Sequence, residues 1–220
     1  MATTLKPFGL KPVYHPSGLD RATPFVGTNS YTTGSVYSAP YSLGSGEAFY
    51  QYQPVGLNAS GQLTIAAAAA ATSPVYGVFD GVEFTDSQGR RSVAKWASKL
   101  TLDASSDIVF WVWTDPAVIY EAQVNGSVTT AGIGEQFNFE TAAGLAPTDG
   151  TAIGNGGAGF STCALNDTPV ASGAQGQVRV VGLGREVAYP PGETNAWGDT
   201  YTIVQVQIAN NTFVAARVSP

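Results

Sequence analysis

Apolar residues along this chain recur at short intervals and break at turn residues, a strand-like rather than a helical pattern. The clearest segment is Ile108-Val-Phe-Trp-Val-Trp-Thr114, which is apolar on both faces. After Asp115-Pro116 the chain alternates, with Val118, Tyr120, Ala122 and Val124 on one face. A two-faced strand beside a one-faced strand predicts a central strand or a subunit contact. Further strands are expected from Glu47 to Tyr52, Gln62 to Ile65, Val75 to Phe84, Arg91 to Trp96, Gln177 to Leu183, Tyr201 to Ile208 and Thr212 to Val218. Turn signals stand at Asn58 to Gly61, Asp86 to Gly89, Asn125-Gly126 and Asn210-Asn211. Gly77 and Gly81 inside one strand predict a bulge or a close backbone approach. The alanines at 66–71 favour helix but are too few to hold one, and Thr72, Ser73 and Pro74 stop them. A short strand or loop is expected there, and no segment predicts an amphipathic helix.

Many short strands separated by turns every roughly 8–12 residues predict an all-β fold. We expect a β-rich knob over residues 46–220, whether a β-tulip, a barrel or a jelly-roll-like sandwich. Within it, residues 141–176 are rich in Gly, Ala and Thr, and predict an irregular loop or small strands around Phe160 to Leu165. Residues 1–45 are dense in Pro, Gly, Ser, Thr and Tyr and keep no period, which predicts an extended N-terminal arm. Phe8, Leu10, Val13, Tyr14 and Phe25 give that arm apolar contact surface, unlike a disordered tail. These five, with Trp111 and Trp113, are the candidate residues for a partner interface.

Only 12% of the 220 residues are charged, against about 25% in a typical globular chain. Contact surfaces between proteins are poor in charge, so this composition suits a chain that lives against other protein. The net charge of −6 argues against wrapping a phosphate backbone. No run approaches the roughly 18 apolar residues of a membrane span, and the N-terminus carries no apolar leader. Neither nucleic acid nor membrane is expected as a partner. The sequons starting at Asn58, Asn125, Asn166 and Asn210 read as chance in a chain rich in Ser and Thr.

Motifs with chemical meaning are few. Gly154, Gly156 and Gly159 spell a dinucleotide fingerprint, but no helix is expected after them. Asp80, Glu83 and Asp86 could form a carboxylate cluster, yet a regular strand points Asp80 and Glu83 to opposite faces, so solvated turn charges are expected. His15, the single histidine, sits before a proline in the irregular arm and lacks the rigid setting of a catalytic base. Cys163 has no second cysteine to pair with and no basic neighbour, so a buried, inert thiol is expected. Trp96, Trp111, Trp113 and Trp197 could line a sugar-binding groove, although core or interface use of Trp is commoner. We expect no enzymatic activity, no metal and no cofactor.

Four segments carry a resemblance: Leu5-Lys-Pro-Phe-Gly-Leu-Lys-Pro-Val-Tyr-His-Pro16, Val75-Tyr-Gly-Val-Phe-Asp-Gly-Val-Glu-Phe84, Val118-Ile-Tyr-Glu-Ala-Gln-Val124 and Asn195-Ala-Trp-Gly-Asp199. They resemble structural proteins of tailed bacteriophages of aquatic bacteria, of the head decoration or capsid cement kind. The order of an arm, Gln53-Pro54-Val55, Gly61 to Ile65 and Gly77-Val78-Phe79 is also loosely similar to the small head decoration proteins of lambda-like phages. This resemblance implies a virion protein on the outer capsid surface. It would bridge neighbouring major capsid protein subunits against internal DNA pressure, as a homotrimer rather than a homodimer. The alternative is a tail or fibre-associated protein whose aromatics touch glycans.

Overall fold

The computed structural model describes residues 4–16, 18, 22–26, 39–68, 74–151, 159–185 and 194–213. In chain order the strands are β1 (Lys11–Tyr14), β2 (Thr23–Phe25), β3 (Ala48–Tyr50), β4 (Pro54–Leu57), β5 (Leu63–Ile65), β6 (Gly77–Thr85), β7 (Arg91–Ala94) and β8 (Trp96–Ser98). A short helix, α1 (Lys99–Asp103), separates these from β9 (Ser106–Trp113), β10 (Ile119–Gln123), β11 (Gln136–Phe137), β12 (Val178–Leu183) and β13 (Ile203–Ile208). The protein is all-β, with every strand pair antiparallel. One sheet runs β1-β10-β13-β12-β11, and a second runs β2-β9-β6-β4-β5 with β7 also paired to β6. Strands β3 and β8 pair separately.

Two apolar cores follow from these sheets. Core one gathers Tyr120, Ala122 and Val124 of β10 and its end, Val204, Val206 and Ile208 of β13, and Val178 and Val180 of β12. Core two gathers Phe49, Val55, Phe79, Val82, Phe110 and Val112. The rings of Phe49, Phe79 and Phe110 stack edge and face within 6.3 Å of one another. Strands β6 and β9 join the two cores: Val78 and Trp113 lie in core one, and the remaining inward residues of both strands lie in core two. Strand β9 is internal, between β2 and β6, with Ile108, Phe110 and Val112 buried on one face and Val109 and Trp111 half-buried on the other.

Glycine works in β6 as the sequence suggests. A side chain at Gly77 would place its Cβ 2.3 Å from the Trp113 carbonyl oxygen, and one at Gly81 would lie 3.0 Å from that of Ala94. The register shifts between Phe79 and Gly81. Phe79 and Val82, three residues apart, can then face the same core, which a regular strand forbids. The same shift corrects the expectation for Asp80 and Glu83: each follows an inward residue, and both pair with cations near the hairpin's return strand.

Several expectations change. Asn125-Gly126 does not close a hairpin; it ends β10, and the next strand, β11, pairs with β12. Helix α1 was not expected: Ser98 caps it by accepting the Thr101 N–H at 3.2 Å, and only Leu102 is buried. Most importantly, the described part of residues 1–45 does not lie apart from the knob. Strand β1 pairs with β10, β2 pairs with β9, and Leu10 sits in core one. Three- and four-residue edge strands are too short to establish a period, which is why the pattern hid them. Residues 69–73, 152–158, which include Gly154 and Gly156, and 214–218 lie outside the described residues.

The described residues at 138–151 and 159–176 are irregular, held by isolated bridges such as Gln51 to Phe160, Gly150 to Ser161 and Phe139 to Leu165. Buried side chains replace the missing ladder. Gln53 accepts the Tyr50 N–H and donates to the Pro147 carbonyl at 2.7 Å. Gln177 accepts the Phe139 N–H and donates to the Ala67 carbonyl at 2.7 Å. Glu140 accepts from the Thr141 and Ala142 N–H groups and from the Asn125 and Asn166 amides. Burial opposes the charge on Glu140, but these donors hold its carboxyl below its ordinary value.

Candidate interaction surface

The seven residues predicted to meet a partner separate by depth. Val13 and Tyr14, on β1, are 37% and 55% exposed. Phe8, Phe25 and Trp111 are half-buried. Leu10 and Trp113 lie inside core one, so their apolar surface is already covered by the chain itself. That corrects their assignment as interface residues, because a side chain packed on all sides has no surface left for a partner.

Edge position explains the exposure of the first two. Strand β1 ends one sheet and β2 ends the other, so each is an edge strand among the described residues. Both strands approach the turn between β9 and β10. Tyr14 is opposite Ile119, and the Thr23 hydroxyl donates to the Val112 carbonyl at 3.1 Å. His15 fastens β1 to this turn through Nε2 and Asp115 Oδ2, 2.8 Å apart. The Ala117 N–H and His15 hold the Asp115 carboxyl below its ordinary value. His15 thus has a structural partner that the sequence spacing of 100 residues concealed.

A second apolar feature was only partly legible. Phe25 packs edge-on against Tyr76 with ring centroids 5.5 Å apart, and Tyr76 meets Phe213 at 5.4 Å. Phe213 is 62% exposed and Val26, next to Phe25, is also exposed. The strip brings together β2, the residue before β6 and the chain after β13. Burial raises the Tyr76 hydroxyl above its ordinary pKa. Tyr76 and Phe213 were missed because each is a single aromatic beside a turn, and only the fold makes them neighbours.

The charged candidates are engaged in ion pairs. Asp80 pairs with Lys95 at 2.9 Å, Glu83 with Arg91 at 2.8 Å and Asp86 with Arg90 at 2.9 Å. Asp86 also accepts the Gln88 and Arg90 N–H groups and so shapes the hairpin turn. Its carboxyl lies below its ordinary value, chiefly through the Arg90 backbone. Cys163 is buried and free, and burial pushes its thiol pKa well up. Of the tryptophans, Trp113 is in core one, Trp197 packs against that core, Trp111 is half-buried on β9 and Trp96 on β8 stands by Tyr50. Among the described residues no group of three or more His, Cys, Asp or Glu side chains gathers as metal ligands would. Comparison with known protein families, curated proteins and solved structures finds no match to the chain.

Proposed function

We propose that this chain is a structural virion protein that binds the outer face of a phage capsid and cements neighbouring major capsid protein subunits. The observation that carries the reading is apolar surface at two places: exposed Val13 and Tyr14 on edge strand β1, and exposed Phe213 packed on half-buried Tyr76, which meets half-buried Phe25 of edge strand β2. Large exposed apolar side chains gathered at an edge favour protein contact. Low charge and the sequence resemblance to phage head proteins support the same reading. An acidic chain is repelled by packaged DNA, which suits the exterior.

The mechanism is additive binding. A shell under outward pressure opens at seams between subunits. A protein attached to both sides of a seam must release its contacts before the seam opens, so its binding free energy raises the barrier. A homotrimer would multiply the effect, since the second and third attachments become intramolecular. Purified protein mixed with empty capsids should cosediment with saturable stoichiometry. Tyr14→Ser with Phe213→Ser should weaken that binding while leaving the fold intact, since both residues are exposed. Unchanged binding by the double variant would remove the edges from the interface, and an absence of cosedimentation by the wild-type chain would refute the reading.

A further inference from the structure

Across from these edges in sequence, the turn after β10 and the turn near Asp167 enclose a cleft of about 330 Å³ that no sequence motif marks. Its floor is apolar. Val128 and Phe137 are buried in core one yet line the cleft, together with Pro169. Gly132 keeps the space open, since a Cβ there would lie 2.6 Å from Val128 Cγ1. Two carboxylates, Glu135 and Asp167, line it, and no lining residue is basic.

Asp167 differs from the ion-paired acids of the molecule. Asp80, Glu83, Asp86, Asp103 and Asp115 each meet a basic side chain at 2.6–2.9 Å. Asp167 is exposed and instead accepts the Thr168 hydroxyl at 3.1 Å, with no basic side chain paired to it among the described residues. Its place is nevertheless fixed. Gly126 leaves room that a Cβ would fill, 2.3 Å from Asp167 Oδ2. Asn166 accepts the Thr168 N–H at 2.9 Å, and its own amide bonds the buried Glu140. The carboxylate is therefore presented at the cleft by a turn anchored to the interior.

We infer that this cleft is a receptor for an arginine side chain projecting from a partner protein. The apolar floor accepts the aliphatic stem, as long basic side chains cover apolar surface with the head held clear. The planar guanidinium then meets carboxylate in a paired, charge-assisted geometry that an ammonium point charge cannot match. A cation-bearing partner also complements a chain of net charge −6. The inference names the side chain and not the assembly, so it stands apart from the capsid reading.

The test uses the full chain labelled with nitrogen-15 and titrated with acetyl-Gly-Arg-Gly-amide, with the citrulline peptide as an uncharged isostere. The arginine peptide should give saturable shifts of the Val128, Thr129, Phe137 and Thr168 amides, and the citrulline peptide should give none. Asp167→Asn should weaken binding by at least about tenfold, the loss expected for a charged hydrogen bond. Ala131→Phe, at an exposed position on the cleft, should block it. An equal response to citrulline, no saturable shift at these amides, or binding unaltered in both variants would overturn the inference. Should Asp167→Asn fail to fold, the citrulline comparison and Ala131→Phe still decide it.

Discussion

Replacing Leu10 with Ala tests how the N-terminal segment is built in. Leu10 is 1% exposed and belongs to core one. Its N–H donates to the Tyr52 carbonyl at 2.8 Å, and Gly9 before it has φ +75, where a Cβ would lie 2.3 Å from that same oxygen. The backbone is thus pinned against the loop before β4 and cannot slide to refill the space. Truncating a leucine at such a site costs about 3 kcal/mol, within the 2–5 kcal/mol seen for buried Leu→Ala changes. For a chain of this size that corresponds to a fall in Tm of roughly 6–12 °C. Urea unfolding followed by tryptophan fluorescence gives the loss directly. Val13→Ala on the same strand is the control, since it is exposed and should change stability by no more than about 0.5 kcal/mol. A Leu10→Ala loss below about 1 kcal/mol, or equal losses at both positions, would show that residues 4–16 are not part of the fold.

Three further outcomes follow from particular side chains. Asp80→Ala and Glu83→Ala break partly exposed ion pairs and should each cost no more than about 1 kcal/mol, with capsid cosedimentation unchanged; loss of binding with the fold intact would give them a functional role. Glu140 has a folded pKa held below its unfolded value, so its stabilising contribution is present above about pH 4.3 and is lost as pH falls through the folded value. Glu140→Gln should therefore destabilise at pH 7 and flatten the decline in stability as pH falls through the carboxyl range, and an unchanged acid profile would contradict this. Cys163, with its thiol buried and its pKa pushed up, should resist an aromatic disulfide reagent in the native protein and react only as the chain opens; prompt native labelling would contradict its burial.

The elements legible in the sequence were those with enough length to set a period. Strands β6, β9, β10, β12 and β13 were all expected, and the two-faced apolar run of β9, read as a central strand or a subunit contact, is an internal strand of its sheet. What escaped were elements defined by their partners. Strands β1, β2 and β11 span two to four residues and exist because β10, β9 and β12 offer them edges. The bulge in β6 was signalled by Gly81, but the side to which it turned Asp80 was not, because one inserted residue reverses every later side chain. The same limit applies to the surface. Val13, Tyr14 and Phe25 stood out as apolar residues in a polar segment, whereas the Tyr76 and Phe213 rings meet only through folding. Leu10 and Trp113 carried the same apolar signal as the exposed residues, and only packing distinguishes a core residue from a contact residue.

The capsid reading is tested most directly by electron cryomicroscopy of empty capsids incubated with the full chain. The account predicts density on the outer face, spanning seams between major capsid protein subunits, with the β1 edge or the Phe25–Tyr76–Phe213 strip at the contact. Capsids that bind no protein under saturating conditions, or density confined to the tail or fibres of intact particles, would contradict it.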